Sequence, residues 1–440
     1  MRALHVILIS LAGSATAVGV ATHAARTADG GNGRGRPGAD SARVATLLTA
    51  LGKTDPVVCD LIGDQLGNFW MGGEPGGLGR FADSPSGVQG AKDSLAGKIT
   101  DPRAVTLLVA TLSADNACVR RVAAKLLGHS NVTADALQTL LASPSPRIRE
   151  SAAYAAGEGE RREIRGTLEK MLGDSSAPAA MAAWALGGIE DPASGPALEG
   201  ALHSTSPKVR LAAVWALGQF EDASYAKDIL PLIRDPDPAM RATVAEALGQ
   251  MRSPRVGAAL LGALTDRNET VRRAAVSALG DIHEQSAVGP LEGLLISDGD
   301  AQVRRECASA LGNLGLARSL DPLARALSDP DLEVEREAAS AIEDLNDVDK
   351  APAALVKATT ASDLELRRGA TKALAHIKDV ATLQALADRL ADADKEVRLA
   401  AVEGLGEMQV AAAIPGLTKA LNDPDPEVRR AAAEALGKTE

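Results

Sequence analysis

The sequence predicts an all-α solenoid, a superhelical stack of about ten to eleven two-helix repeats of about 31 residues each. Two observations carry this prediction. A decapeptide of the type VRRAAVSALG, residues 271–280, recurs along the chain, and its closing positions lie 29 to 32 residues apart. An Asp- or Pro-rich turn such as DPDPE, residues 423–427, precedes each decapeptide, and another apolar helix precedes the turn. Because one such helix pair cannot bury its apolar face alone, the repeats must stack to form a core.

The decapeptide is expected to form the second helix of each repeat. Its Val, its central Ala and its Ala-Leu pair recur at helical spacing, so one face of the helix is buried. We expect the closing glycine to stop the helix. We expect the turn aspartates, for example Asp235, Asp266, Asp329 and Asp392, to cap the helix that follows.

These residues resemble HEAT repeats of the HEAT-like type found in phycobilisome lyases, and the chain is similar to an exported bacterial member. The resemblance covers about residues 115 to 440. It implies that second helices line a concave face and that each turn Asp pairs with an Arg of a neighbouring repeat. Ala179 and Glu335 stand where Arg is expected, which predicts looser stacking there. The matching arginines are Arg120, Arg149, Arg210, Arg241, Arg272, Arg304, Arg367, Arg398 and Arg429.

The first 100 residues are divided differently. Residues 1–25 combine an early Arg, an apolar stretch and small residues, which predicts a cleaved export signal; the alternative is a retained membrane anchor. Residues 26–40 are expected to be a flexible leader, and 41–100 a degenerate capping repeat with a Gly- and Pro-rich inserted loop at 68–86. The repeat array then fills 101–440. This organisation places the mature chain in the periplasm or outside the cell, without a membrane span after cleavage.

Aromatic residues are rare, at 2% of the chain, yet three occupy one equivalent position in three successive repeats. This position lies three residues before the closing glycine and holds Tyr154, Trp184 and Trp215. With Ala180 and Leu211 beside them, they are expected to form an exposed apolar groove that binds a peptide or partner helix. The alternative is that the rings fill gaps left by small neighbours.

A basic strip is predicted beside that groove, seven residues before the closing position. It consists of Arg273, Arg305, Arg336 and Arg368, joined by Lys372. Such a strip could hold an acidic segment. The alternative is a solvated face whose arginines pair with local acidic residues.

The three cysteines divide into a predicted pair and a single thiol. Cys59 and Cys118 lie near the starts of second helices in the N-terminal region and are expected to form a disulfide, which suits an exported protein. Cys307 replaces a buried Ala and is expected to be a free thiol in the core. No metal pair, phosphate loop or nucleophile elbow is present in the sequence, so we expect no cofactor and no catalytic residue.

The sequence therefore favours a protein-interaction scaffold or adaptor, not an enzyme, that binds a partner segment along a concave face. Its partner is expected to be a protein or peptide. Nucleic acid is not expected, because the net charge of −11 opposes phosphate binding. Two alternatives are a regulatory subunit of an envelope protease or other membrane complex, and a HEAT-like lyase or DNA-repair type enzyme.

Overall fold

The computed structural model describes residues 39–53, 99–253 and 256–438. The predicted export signal, most of the predicted leader, the inserted loop and Cys59 lie outside the described residues. The described residues form 23 α-helices and no β-strand, which confirms the all-α prediction. Within them, no helix is both long enough and apolar enough to cross a bilayer.

The chain divides into two compact units, the first ending at Ile229 and the second beginning at Leu230. The helices of the N-terminal unit are α1 Ala39–Leu51, α2 Pro102–Thr111, α3 Ala117–Gly128, α4 Ala134–Leu141, α5 Pro146–Glu158, α6 Arg165–Met171, α7 Ser176–Ile189, α8 Gly195–Ala201, α9 Pro207–Gln219 and α10 Ala226–Ile229.

The C-terminal unit starts with a 3₁₀ helix at Leu230–Arg234. Its α-helices are α11 Pro238–Gln250, α12 Gly257–Ala263, α13 Glu269–Asp281, α14 Val288–Ser297, α15 Ala301–Leu314, α16 Leu320–Ala326, α17 Leu332–Glu343, α18 Ala353–Ala358, α19 Leu364–His376, α20 Leu383–Arg389, α21 Lys395–Glu407, α22 Ile414–Ala420 and α23 Pro426–Lys438.

Within each unit, the odd-numbered helices from α3 onward are the second helices of the repeats. They pack side by side, and each also packs against the first helix of its own repeat. The Val, Ala and Leu positions of the decapeptide supply the core, as Val271, Ala275 and Leu279 do in α13, all fully buried. The predicted buried face is therefore confirmed.

The helix caps differ from the prediction by two residues. In α11 the capping residue is Asp237, whose carboxylate accepts a hydrogen bond from the Ala239 backbone N–H at 3.0 Å. Asp235, which we expected to cap this helix, instead accepts from the Asp237 backbone N–H at 2.9 Å. Asp266, Asp329 and Asp392 behave in the same way. The turn aspartates thus hold the turn, and a second polar residue caps the helix.

Helix α3 ends at its closing glycine, Gly128, but the other helices continue past theirs, so the prediction was wrong for most repeats. Helix α11 continues past Gly249 to Gln250, and α13 continues past Gly280 to Asp281. Gly249 is buried against the next second helix, where a Cβ atom at position 249 would lie 2.8 Å from the Ala278 Cα atom. Because real Cβ atoms do not approach backbone this closely, glycine is required for close helix packing.

The same Gly–Ala contact recurs between neighbouring second helices, and in one case the two residues are exchanged. Ala375 stands at the glycine position of α19, and Gly404 stands at the alanine position of α21; a Cβ at 404 would lie 2.7 Å from the Ala375 Cα. Each such contact therefore needs one glycine, on either helix. The contacts with the usual order are Gly157–Ala185, Gly187–Ala216, Gly249–Ala278, Gly280–Ala310, Gly312–Ala341 and Gly406–Ala435.

We predict that Gly249→Ala lowers the free energy of unfolding by about 1 to 3 kcal/mol, because the added methyl overpacks a backbone contact. Adding Ala278→Gly should restore most of this loss, since the exchanged order already occurs at Ala375 and Gly404. Urea unfolding of the two variants measures both effects. Gly293→Ala is the control: no atom lies within 4 Å of a Cβ there, so it should stabilise by up to about 1 kcal/mol. Equal destabilisation at 249 and 293 would contradict the assignment.

Candidate partner-binding surface

Six of the repeats are tied to the next one by an arginine near the start of the second helix. The guanidinium of Arg304 in α15 donates from Nη1 to the Asp298 carbonyl of its own turn at 2.9 Å. Its Nε and Nη2 atoms donate to the two carboxylate oxygens of Asp329 in the next turn, each at 2.8 Å. One side chain therefore closes its own turn and clamps the following one. This bidentate geometry is the strongest that an Arg–carboxylate pair adopts.

We call this arrangement the Arg clamp. It confirms what the HEAT resemblance implied for six of the arginines, and it gives them a structural role. Five pairs are bidentate: Arg149–Asp174, Arg241–Asp266, Arg272–Asp298, Arg304–Asp329 and Arg398–Asp423. The sixth, Arg367–Asp392, is joined from Nε to one carboxylate oxygen at 3.0 Å.

Where the clamping arginine is missing, the aspartate that it would bind is missing too. Ala179 replaces the arginine in α7, and the turn position it would face holds Ser204. Glu335 replaces it in α17, and the corresponding turn position holds Ala361. Because both partners are replaced, no turn aspartate is left without its arginine, although at α17 the half-buried Glu335 stands in place of the cation.

The predicted aromatic groove is largely closed. Tyr154 is 3% exposed, Trp184 and Leu211 are 7% exposed, and Trp215 is half-buried. The ring centroids of Tyr154 and Trp184 lie 5.0 Å apart, and those of Trp184 and Trp215 lie 6.1 Å apart in a stacked arrangement. The expectation of an exposed groove on Tyr154, Trp184 and Leu211 was therefore wrong.

The physical reason lies in the closing glycines of the neighbouring helix. A Cβ at Gly157 would lie 2.7 Å from the Cζ3 atom of Trp184, and a Cβ at Gly187 would lie 2.8 Å from the Cζ3 atom of Trp215. Each indole fills the space that the missing side chain of the preceding helix leaves. The alternative reading, in which the rings fill gaps beside small neighbours, is confirmed for Trp184 and Trp215.

The predicted basic strip is neutralised at two of its members. Arg336 in α17 donates from Nε and Nη2 to Asp363 at 3.0 and 2.6 Å, and Arg368 in α19 donates likewise to Asp394 at 2.9 and 2.6 Å. Each also contacts a Glu three residues earlier on its own helix. The prediction that Arg336 and Arg368 hold an acidic partner was therefore wrong, because acidic residues of the chain already occupy them.

The other predicted strip residues are Arg273 and Arg305, at the strip position, and Lys372, four residues after Arg368 on α19. Arg273 in α13 and Arg305 in α15 are half-buried, and Lys372 in α19 is exposed. Ala180 in α7 is half-buried. Ala180 therefore lies beside the closed aromatic stack, whereas Lys372 reaches solvent.

The position three residues before the closing residue recurs on every second helix, and we call this row of side chains the stripe. Its exposure differs between the two units. In the N-terminal unit Lys125, at the stripe position of α3, is 3% exposed and lies 3.9 Å from the Glu158 carboxylate through its Nζ atom. In the C-terminal unit the equivalent Glu246, Ser277 and Ser309 are half-buried, and Ser340, Lys372 and Glu403 are exposed. The accessible second-helix surface therefore lies on the C-terminal unit. The buried Lys125–Glu158 pair could not be predicted from the sequence, because its two residues belong to different repeats.

The cysteines are consistent with the predicted division of roles. Cys118 is disulfide-bonded, while Cys307 is free and fully buried, and burial raises the pKa of its thiol. Because Cys59 lies outside the described residues, the pairing of Cys59 with Cys118 stays a prediction. Among the described residues, no group of three or more His, Cys, Asp or Glu side chains could hold a metal ion.

A stack of two-helix repeats joined by Arg clamps defines a helical-repeat protein of the solenoid class. The family model of HEAT repeats matches residues 133–206, 196–280, 257–343, 325–400 and 383–440. The chain belongs to the HEAT-repeat family. No curated protein sequence matches it.

Several solved structures resemble the chain. An engineered protein is 23% identical, with 76% of this chain and 98% of that one covered and a TM-score of 0.44. A chain of the CpcE–CpcF complex of phycocyanin lyase from Nostoc sp. PCC7120 is 25% identical, with 51% and 92% covered and a TM-score of 0.34. A chain of the Kap95p–RanGDP structure is 15% identical, with 91% and 60% covered and a TM-score of 0.47.

We predict that Trp184→Ala lowers the free energy of unfolding by about 3 to 5 kcal/mol, because it empties a packed site between α5 and α7. Thermal and urea unfolding measure the loss. Lys372→Ala is the matched control at the equivalent, exposed position of α19 and should change stability by less than about 0.5 kcal/mol. A Trp184→Ala variant as stable as the control would mean that the ring does not belong to the core.

We also predict that Asp363 and Asp394 contribute to acid unfolding. Hydrogen bonds from Arg336 and Arg368 lower the pKa of each carboxyl to about 2. A lowered folded-state pKa gives stability that is present above the unfolded value of about 3.9 and is lost as the pH falls toward 2, at most about 2 kcal/mol per group.

Asp394→Asn should therefore lower stability at pH 7 and flatten its decline between pH 5 and pH 2, as measured by urea unfolding at each pH. Asp321→Asn, at an exposed position of α16, serves as the control. An unchanged pH dependence in Asp394→Asn would refute the contribution.

Proposed function

We propose that the chain is a protein-binding scaffold that holds a partner segment along the second-helix face of its C-terminal unit. The observation that carries the proposal is the change in exposure along the stripe. Its members are buried at Lys125, Tyr154 and Trp184 but exposed at Ser340 and Lys372. A partner therefore finds accessible side chains on the C-terminal unit.

The spacing of the helices supports a concave form for this face. Second helices approach until a Cβ at Gly249 or Gly312 would lie 2.8 or 2.9 Å from the backbone of the next helix. In the first helices, a Cβ at Gly195 or Gly257 would meet only side-chain atoms, of Tyr225 or Glu284, and no atom lies within 4 Å of a Cβ at Gly262 or Gly293. In a curved stack the layer with the shorter spacing lies on the inner side. A partner bound there contacts several repeats at once.

The chemistry of the face suits an extended polar segment. Ser277, Ser309 and Ser340 occupy the stripe in three successive repeats, and Asn313 and Asp344 lie one turn further along two of these helices. Hydroxyl, amide and carboxylate groups of this kind bind the backbone groups of an extended chain. The stripe offers no large apolar side chain in these repeats, so an amphipathic helix is a poorer fit.

The charge of the unit favours a neutral or basic partner. Residues 230–440 contain 25 Lys and Arg against 35 Asp and Glu, a net charge of −10, whereas the whole chain has −11. Arg336 and Arg368, which lie within this acidic unit, form ion pairs with carboxylates of the chain. A strongly anionic partner such as nucleic acid would be repelled.

The proposed role is binding without catalysis, in an exported protein. Binding without catalysis is supported because the charged pairs next to the face, Arg336–Asp363 and Arg368–Asp394, link neighbouring repeats. Their polar atoms are hydrogen-bonded to each other. Export is supported by the N-terminal sequence and by the disulfide-bonded Cys118, since disulfides persist in oxidising compartments.

Site-specific photocrosslinking in the producing cell tests the proposal. Lys372→p-benzoylphenylalanine places a probe on the second-helix face of one repeat, and Lys357→p-benzoylphenylalanine places the matched control on the first helix of the same repeat; both lysines are exposed. We expect a discrete protein adduct from position 372 and none from 357. Adducts from 357 alone would place binding on the opposite face, and the absence of protein adducts from both would contradict the scaffold.

A further inference from the structure

Five of the six contacts between neighbouring second helices in the described part of the C-terminal unit are built alike. Each has an Arg clamp and a Gly–Ala contact. Between α15 and α17, for example, Arg304 clamps Asp329 and Gly312 packs on Ala341. The other four are α11–α13, α13–α15, α19–α21 and α21–α23.

The contact between α17 and α19 has neither element. Glu335 stands in place of the clamping arginine, and Ala361 stands in place of its aspartate. Glu343 occupies the glycine position and Ala373 the corresponding alanine position of α19, so neither of these two positions holds a glycine. Both of the devices that join the other repeats are therefore absent at the same contact.

A different pair joins α17 to α19. Arg336, one residue after the missing clamp, donates to both carboxylate oxygens of Asp363, the residue that caps α19. Gly369 packs more loosely, with a Cβ there 3.4 Å from the Ala339 Cβ. His376 lies 4.0 Å from Glu343, an ion pair when the imidazole is protonated.

The surroundings of this contact weaken it further. Burial, together with Asp329 and Asp363, raises the pKa of the Glu335 carboxyl, and Lys357 opposes this rise. The acidic groups thus repel one another where the other contacts hold a cation. The connection 344–352 also lacks the 3₁₀ turn found in the connections after α13, α15, α19 and α21.

We propose that the α17–α19 contact is a joint at which the C-terminal unit opens and changes curvature, and that the Arg336–Asp363 pair holds it closed. The proposal is independent of the proposed function. It predicts that α18 to α23 form a cooperative block of lower stability, with the boundary at this joint, because sub-global opening follows the weakest contact.

Native-state hydrogen exchange on the full chain, followed amide by amide by mass spectrometry, tests the joint. Arg336→Met should lower the protection of α18 to α23 by at least about tenfold, the expected cost of a bidentate charged pair, and leave α11 to α16 nearly unchanged. Arg368→Met is the matched control. It removes an equivalent bidentate pair at the α19–α21 contact, where the Arg367–Asp392 clamp remains, so its effect should be several-fold smaller.

A second variant keeps the proposal testable if Arg336→Met does not fold. Glu335→Arg combined with Ala361→Asp rebuilds the clamp and should raise the protection of α18 to α23 toward that of α11 to α16. Equal losses of amide protection in Arg336→Met and Arg368→Met would overturn the joint. A wild-type chain whose protection drops at a contact other than α17–α19 would overturn it as well. No gain in the rebuilt variant would count against it equally.

Discussion

Six of the repeats depend on a single guanidinium that makes two kinds of bond. In the Arg clamp, Nη1 closes the turn that leads into its own helix, while Nε and Nη2 fix the carboxylate of the next turn. A solenoid has no long-range contacts to define its register, so each repeat must be positioned by its neighbour alone. The clamp fixes this position through directional hydrogen bonds, which the packing of Ala, Val and Leu side chains does not provide. Both charges are satisfied by hydrogen bonds, which offsets the cost of removing them from water.

The Gly–Ala contact is the second constraint, and it determines which surface is left for binding. Because one glycine per contact lets second helices approach to backbone distance, the second-helix layer is the more closely spaced. In the N-terminal unit, large stripe residues close over this layer, as Trp184 does above Gly157. In the C-terminal unit the stripe holds the small residues Ser277 and Ser309, which are half-buried, and Ser340, which is exposed. Stability and surface access are therefore set by the same few positions.

Much of this architecture could be predicted from the sequence. The repeat, the buried positions such as Val271 and Leu279, and the arginines of the clamp follow from periodicity within one helix and from the HEAT resemblance. Contacts between repeats could not be read in this way. Gly249 was taken as a helix stop because a C-terminal glycine commonly has that role, whereas its neighbour Ala278 lies 29 positions away. Arg336 was taken as part of a basic strip because Asp363, its partner, lies in the next repeat. Trp184 was expected at the surface for the same reason.

The central claim is that the Arg clamp joins the repeats, beyond what apolar packing provides. A double-mutant cycle on Arg304 and Asp329, with Arg304→Met, Asp329→Asn and the double variant, tests it most directly by urea unfolding. The account predicts a coupling free energy of about 2 kcal/mol, because either single change leaves a charged partner half-buried and unpaired. A coupling free energy near zero would contradict the account and would assign the register of the stack to apolar packing alone.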